Sequence, residues 1–118
     1  MDPQSSDLPG VTVQRTDPAI RMQAQLIGTL VVDPTTNCLL LRTISIGGTP
    51  LIDVAWPLGW SVAIRDGAPA LLDTTGATAA HVGDDVAVGG GFVEVERADA
   101  VPCTGQQHVF EASGLSRL

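Results

Sequence analysis

From Met22 the chain alternates apolar and polar positions. Met22, Ala24, Leu26, Gly28, Leu30 and Val32 share one parity, while Gln23, Gln25 and Thr29 fall on the other. That period of two predicts a half-buried strand, whose successive side chains point to opposite faces. Asp33-Pro34-Thr35-Thr36-Asn37 then predicts a turn, because proline fixes φ and Asp and Asn side chains bond nearby backbone. Cys38 to Ile46 reads as the next strand, apolar on both parities at Cys38 to Leu41, as in a central strand covered on two faces. Gly47-Gly48-Thr49-Pro50 breaks it. Leu51 to Trp56 follows as one strand, with Ile52, Val54 and Trp56 on one face, and Pro57-Leu58-Gly59 ends it.

Trp60 to Arg65 repeats the alternation, Asp66-Gly67 supplies a two-residue hairpin signal, and Pro69 to Asp73 returns as the partner strand. Thr74-Thr75-Gly76 turns the chain, Ala77 to Val82 is a short strand, and Gly83-Asp84-Asp85 turns it again. Val86 to Val88 enters Gly89-Gly90-Gly91, which predicts a bulge or corner where a sheet bends rather than a strand centre. Phe92 to Glu96 resumes alternation, with Val93 and Val95 inward and Glu94 and Glu96 outward. Asp99 to Gln107 is a loop and His108 to Ala112 a last strand.

No segment repeats apolar residues at i, i+3, i+4 and i+7 over ten or more positions, so very little helix is expected. Many short strands with turn signals about every 8 to 12 residues predict an all-β fold. The glycine corner favours a small closed or partly open antiparallel barrel, of the OB or SH3 kind, over a sandwich. Residues 1–18 carry Pro3, Pro9 and Pro18 and no periodic apolar pattern, and read as a flexible lead-in in which Val11 and Val13 form at most a short edge strand. Residues 19–118 then make one barrel domain.

Charge narrows the function. The 118 residues carry a net charge of −7, and every basic residue is an arginine: Arg15, Arg21, Arg42, Arg65, Arg97 and Arg117. With no lysine there is no Schiff-base nucleophile and no phosphate-loop lysine. A negative surface with four aromatics (Trp56, Trp60, Phe92, Phe110) suits neither a nucleic-acid backbone nor an anionic lipid face. Leu26 to Val32 is the longest apolar run and falls far short of a membrane span. Nothing points to a cofactor.

Candidate chemistry is sparse. Cys38 and Cys103 are either a disulfide that pins the C-terminal strand to the barrel or two buried thiols. No Cys-x-x-Cys or His-x-x-x-His spacing supports a metal. His81, with Asp84 and Asp85 just after it, and His108 are the only start of an acid–base pair, and no third group is evident. Gly59-Trp60-Ser61-Val62-Ala63 lacks the last glycine of a nucleophile elbow. Trp56 and Trp60 bracket Pro57-Leu58-Gly59 and form either a core plug or, with Leu58, an exposed recognition patch. Arg42 and Arg65 are expected to pair with Asp53 or Asp66. Beside an exposed Trp60 they would instead make an amphipathic patch for a protein partner or an acidic small ligand.

As an ordered set, Gly28-Thr29-Leu30-Val31, Cys38-Leu39-Leu40-Leu41, Trp56-Pro57-Leu58-Gly59-Trp60-Ser61-Val62, Thr75-Gly76, Val82-Gly83-Asp84-Asp85-Val86 and Gly89-Gly90-Gly91-Phe92-Val93 resemble a group of small bacterial proteins from high-GC organisms. Many of that group are exported or lipid-anchored, and none has an assigned activity. The resemblance spans roughly residues 28 to 112. It implies an all-β architecture and an exported origin, and carries no catalytic residue across. Met1 to Asp7 shows no signal sequence or lipobox cysteine, which keeps a cytoplasmic location as the alternative.

The expectation is therefore a non-catalytic, extracytoplasmic binding module, with Trp56, Leu58, Trp60, Arg42, Arg65 and His108 as candidates for contact with its ligand or partner. The alternatives are a small hydrolase or lyase using a His–Asp pair, and a structural subunit or cap of a larger assembly.

Overall fold

The computed structural model describes residues 8–17, 22–44, 48 and 50–118. Its elements are β1 (Thr12–Val13), β2 (Ala24–Asp33), β3 (Cys38–Arg42), β4 (Leu51–Ile52), β5 (Val54–Trp56), β6 (Ser61–Arg65), β7 (Ala68–Leu72), β8 (Thr78–His81), β9 (Asp85–Glu94), α1 (Val95–Ala98) and β10 (His108–Arg117). A seven-stranded sheet has the order β1-β5-β10-β9-β2-β3-β4, and a three-stranded sheet has the order β6-β7-β8. The all-β class holds. The wholly antiparallel expectation does not, because β5 runs parallel to both β1 and β10.

The period-two reading places the core correctly on β2. Leu30 is fully buried, with Leu26 and Val32 packed on the same cluster, beside Leu39 and Leu41 of β3 and Val86 and Val88 of β9. Leu71 and Ala80 from the small sheet join that cluster, so the small sheet covers the inner face of the large one. A second, smaller cluster of Ala55, Val93, Ala98, Ala100 and Val109 lies under α1 and the segment after it. Cys38 to Leu41 are all buried, as their two apolar parities predict. The predicted continuation of β3 to Ile46 stops at Arg42, and residues 45–47 and 49 lie outside the described residues.

Three local predictions need correction. Leu51 to Trp56 is two strands, because the chain changes partners at Asp53. β4 pairs with β3, whereas β5 lies between β1 and β10 at the other end of the strand order. Gly89-Gly90-Gly91 lies inside one continuous ten-residue strand, and the irregularity falls on its partner between Ala112 and Gly114. Glycine is required there because a Cβ at Gly90 would overlap the Glu111 carbonyl, and its φ of +148° is one that side chains avoid. Finally, β9 ends at Glu94, and Val95 to Ala98 form a helical turn rather than an alternating strand.

Residues 10–14, which the sequence pattern puts in the lead-in, are built into the sheet. Gly10 bridges Cys38 in parallel, with Gly10 N–H donating to the Asn37 carbonyl at 2.8 Å and Leu39 N–H donating to the Gly10 carbonyl at 2.8 Å. Thr12 and Gln14 are more deeply buried than Val11 and Val13. The Gln14 amide donates to the carbonyls of Ala55 and Ala112, each at 2.8 Å. The Ala112 carbonyl lies where the β9–β10 register shifts, so the amide supplies a buried acceptor with a partner at an irregular point of the ladder.

Candidate functional site

Cys38 and Cys103 form a disulfide across 65 residues, with Cα atoms 5.9 Å apart. It ties the loop before β10 to the start of β3, beside the Gly10 bridge. A Cβ on Gly10 would stand 2.6 Å from the Cys103 sulfur, so the segment leading into β1 passes the disulfide at a distance only glycine permits. Asp53 lies near this junction and is 1% exposed. Its carboxylate accepts from the Thr12 hydroxyl at 2.6 Å, the Thr104 hydroxyl at 2.7 Å and the Thr104 N–H at 3.1 Å. The Thr12 oxygen in turn accepts from Cys103 N–H at 2.8 Å. This buried polar group is a fastening between β1, the β4–β5 junction and the disulfide loop, and its carboxylate is already met by three donors.

The arginine pairings expected from the sequence do not form. Asp53 is taken by threonines. Arg65 Nη1 donates to the Ile64 carbonyl at 3.2 Å, and Asp66 faces His81 instead, with 3.4 Å between Asp66 Oδ2 and His81 Nε2 and no hydrogen-bond geometry between them. Asp84 is also not the imidazole's partner, since its Oδ2 accepts from the His81 backbone N–H at 2.9 Å. His108 is exposed at the start of β10, opposite Glu94. The two histidines thus stand on different sheets. Among the described residues there is no group of three or more His, Cys, Asp or Glu placed to hold a metal ion.

Trp56 is fully buried and stacks on half-buried Trp60, with ring centroids 5.7 Å apart and planes 3° from parallel. Trp56 is therefore a core residue, and of the predicted trio only Leu58, 42% exposed, stands well out. The Trp56 indole N–H is buried without an acceptor among the described residues.

Arg42 has a different setting. Thr29 of β2 pairs with Arg42 of β3 on one side and with Asp85 of β9 on the other, so the three form one row across three strands. Thr29 donates its hydroxyl to Asp85 Oδ1 at 2.7 Å. Arg42 makes no ion pair or hydrogen bond among the described residues. The row borders a cleft of about 480 Å³ lined also by Ile27, Gly28, Ile44 and Leu118. The three aliphatic side chains are 55%, 88% and 73% exposed respectively for Ile27, Ile44 and Leu118. A Cβ at Gly28 would meet the Arg42 carbonyl oxygen at 2.6 Å and Leu41 Cγ at 2.9 Å, so β2 passes β3 here at a distance only glycine permits. A second hollow lined by Asp84, Asp85, Arg117 and Leu118 adjoins it through Asp85 and Leu118.

The sequence marks Arg42 as a candidate, paired with Asp53 or Asp66 or else beside an exposed Trp60, and marks none of Ile27, Ile44 and Leu118. The signal for Ile27 was present, as an isoleucine on the polar parity of β2. Leu118 is brought in by the β9–β10 ladder, which pairs Arg117 with Val86, and by its own backbone N–H donating to the Asp85 carbonyl at 3.0 Å, long-range contacts that no local pattern carries.

A scan against family models finds no match, and comparisons with curated proteins and with solved structures likewise find none. The fold and site define a mostly-β, disulfide-linked domain with an amphipathic surface cleft. No helix among the described residues is long and apolar enough to cross a membrane.

Proposed function

We propose that this protein is a non-catalytic binding module working outside the cytoplasm, and that the cleft beside Arg42 takes an acidic small ligand with an aliphatic portion. The observation that carries this reading is the Arg42 guanidinium, unpaired among the described residues and framed by exposed Ile27, Ile44 and Leu118. A guanidinium is a fork of donors suited to a carboxylate, and apolar walls beside it reward a chain that leaves water with its head group paired. The Cys38–Cys103 disulfide favours an oxidising compartment. The finer architecture we read as a barrel, partly open beyond β4. Its support is the Gly10–Cys38 bridge and the passage of residues 51–56 from β3 at one end of the strand order to β1 and β10 at the other.

The test is a titration with octanoate, and with octanol as its uncharged counterpart, followed by the methyl resonances of Ile27, Ile44 and Leu118. Octanoate should shift all three saturably, and Arg42→Gln should weaken it about tenfold or more, the value of one charge-assisted contact. Equal effects of octanoate and octanol, or an Arg42→Gln variant that binds as well as the parent, would rule this reading out.

A further inference from the structure

Among the described residues the three-stranded sheet ends at β6, which pairs with β7 on one side only. The register fixes which of its backbone groups are free. Pro69 has no N–H, and its carbonyl accepts from Val82 N–H at 3.1 Å on the β8 side. Because a strand residue directs its N–H and C=O to the same side, the Ile64–Pro69 pair is a non-hydrogen-bonded one, and Ser61, Ala63 and Arg65 carry the ladder to β7. Val62 and Ile64 therefore direct their N–H and C=O groups away from the sheet. Among the described residues the only side chain engaging them is Arg65, whose Nη1 covers the Ile64 carbonyl.

Natural edge strands are blunted by proline, lysine, a bulge or an inward charge. β6 reads Ser61-Val62-Ala63-Ile64-Arg65 and pairs with β7 in unbroken register, so it has none of the first three. Ile64 is 49% exposed, on the parity of Val62 and Trp60, both of which pack partly against the core.

We propose that the free edge of β6 is a pairing surface for the same edge of a second copy of this chain, in an antiparallel, two-fold arrangement centred on Ala63. That register sets Val62 of each copy opposite Ile64 of the other, so their outward N–H and C=O groups exchange hydrogen bonds. Ser61 then faces Arg65 of the second copy, and no like charges are directly opposed. The same register lays each exposed Ile64 beside the partly covered Val62 of its mate. Arg65 acts as the guard of this edge, since it must release the Ile64 carbonyl for the ladder to form. The short ladder and the charge of −7 on each copy make the pairing weak and strengthened by added salt, which screens the repulsion.

Sedimentation velocity with concentration raised into the millimolar range tests this, with amide exchange read at Val62 and Ile64. The parent chain should self-associate to a dimer with concentration-dependent protection of those two amides. Arg65→Ala should tighten the dimer about tenfold by freeing one acceptor on each copy. Ile64→Pro removes an outward N–H that β7 does not use, and should leave a folded monomer. Ile64→Lys, which keeps the N–H but charges the apolar contact, should weaken the dimer if the proline variant does not fold. Parent and Arg65→Ala chains that both stay monomeric, or a dimer that survives both Ile64 substitutions unchanged, would overturn the proposal.

Discussion

The Thr12 hydroxyl donates to the Asp53 carboxylate at 2.6 Å across 41 residues of chain, with both side chains out of water. Thr104 supplies two further donors to the same carboxylate. A buried carboxylate is tolerated only when its lone pairs are met, and removing it strands the donors that met it. Asp53→Ala should therefore destabilise the fold by roughly 3 to 5 kcal/mol in chemical denaturation. Thr12→Val should cost less, about 1 to 3 kcal/mol, because Asp53 keeps Thr104. Equal losses for the two substitutions would show that Asp53 is not the hub.

How far the sequence reaches is visible in this same cluster. Strands such as β2 and β6 and the Asp66-Gly67 hairpin are legible because alternation and turn chemistry are local. Thr12 and Gln14 are not, since they carry polar side chains on a two-residue strand next to Val11 and Val13, and alternation assigns the valines inward. The structure does the reverse because the partners are distant: Asp53, Thr104 and Cys103 for Thr12, Ala55 and Ala112 for Gln14. The splitting of 51–56 at Asp53 is hidden for the same reason, as an exchange of pairing partners leaves no mark on a run of apolar residues. The candidate cleft divides in the same way. Arg42 is readable as a cation on a predicted strand, whereas its neighbours across β2 and β9 come from register.

Gly90 and Gly67 both have positive φ, at +148° and +82°, but only Gly90 is crowded. Gly67→Ala meets open space and should cost about 1 to 2 kcal/mol, the strain of the left-handed backbone alone. Gly90→Ala adds an overlap with the Glu111 backbone, which cannot swing aside as a side chain does. Its loss should be on the order of 4 kcal/mol, at the upper end for single substitutions. Thermal unfolding of the pair checks the ordering, and a Gly90→Ala protein as stable as Gly67→Ala would refute the tight β9–β10 approach.

The disulfide closes a span of 65 residues, which in the chain-entropy model stabilises by roughly 4 kcal/mol. Replacing both Cys38 and Cys103 by serine should lower stability by about that amount. The loop it holds also carries Thr104, so the effect should not add to that of Asp53→Ala. A double-mutant cycle should give a coupling of roughly 0.5 to 3 kcal/mol, as for residues sharing one network. Strict additivity would mean that Asp53 holds the loop without help from the disulfide.

Asp73 tests electrostatics at a turn. Its Oδ1 accepts from the Thr75 hydroxyl at 2.6 Å, the Thr75 N–H at 2.8 Å and the Ala77 N–H at 3.3 Å. These bonds favour the charged form, the Thr75 hydroxyl foremost, and hold the carboxyl below its ordinary value of 3.8. A folded-state value below the unfolded one means that the unfolded chain takes up the proton first as pH falls. The contribution is then complete above the unfolded value and lost as pH drops through the lowered folded value. Asp73→Asn removes the charge while keeping the shape. The stability gap between parent and variant should be constant from neutral pH down to about 5 and should shrink as the pH falls below 3.8. Denaturation midpoints measured along that series decide it, and a gap that does not change with acidity would mean that the turn is held by hydrogen-bond geometry alone.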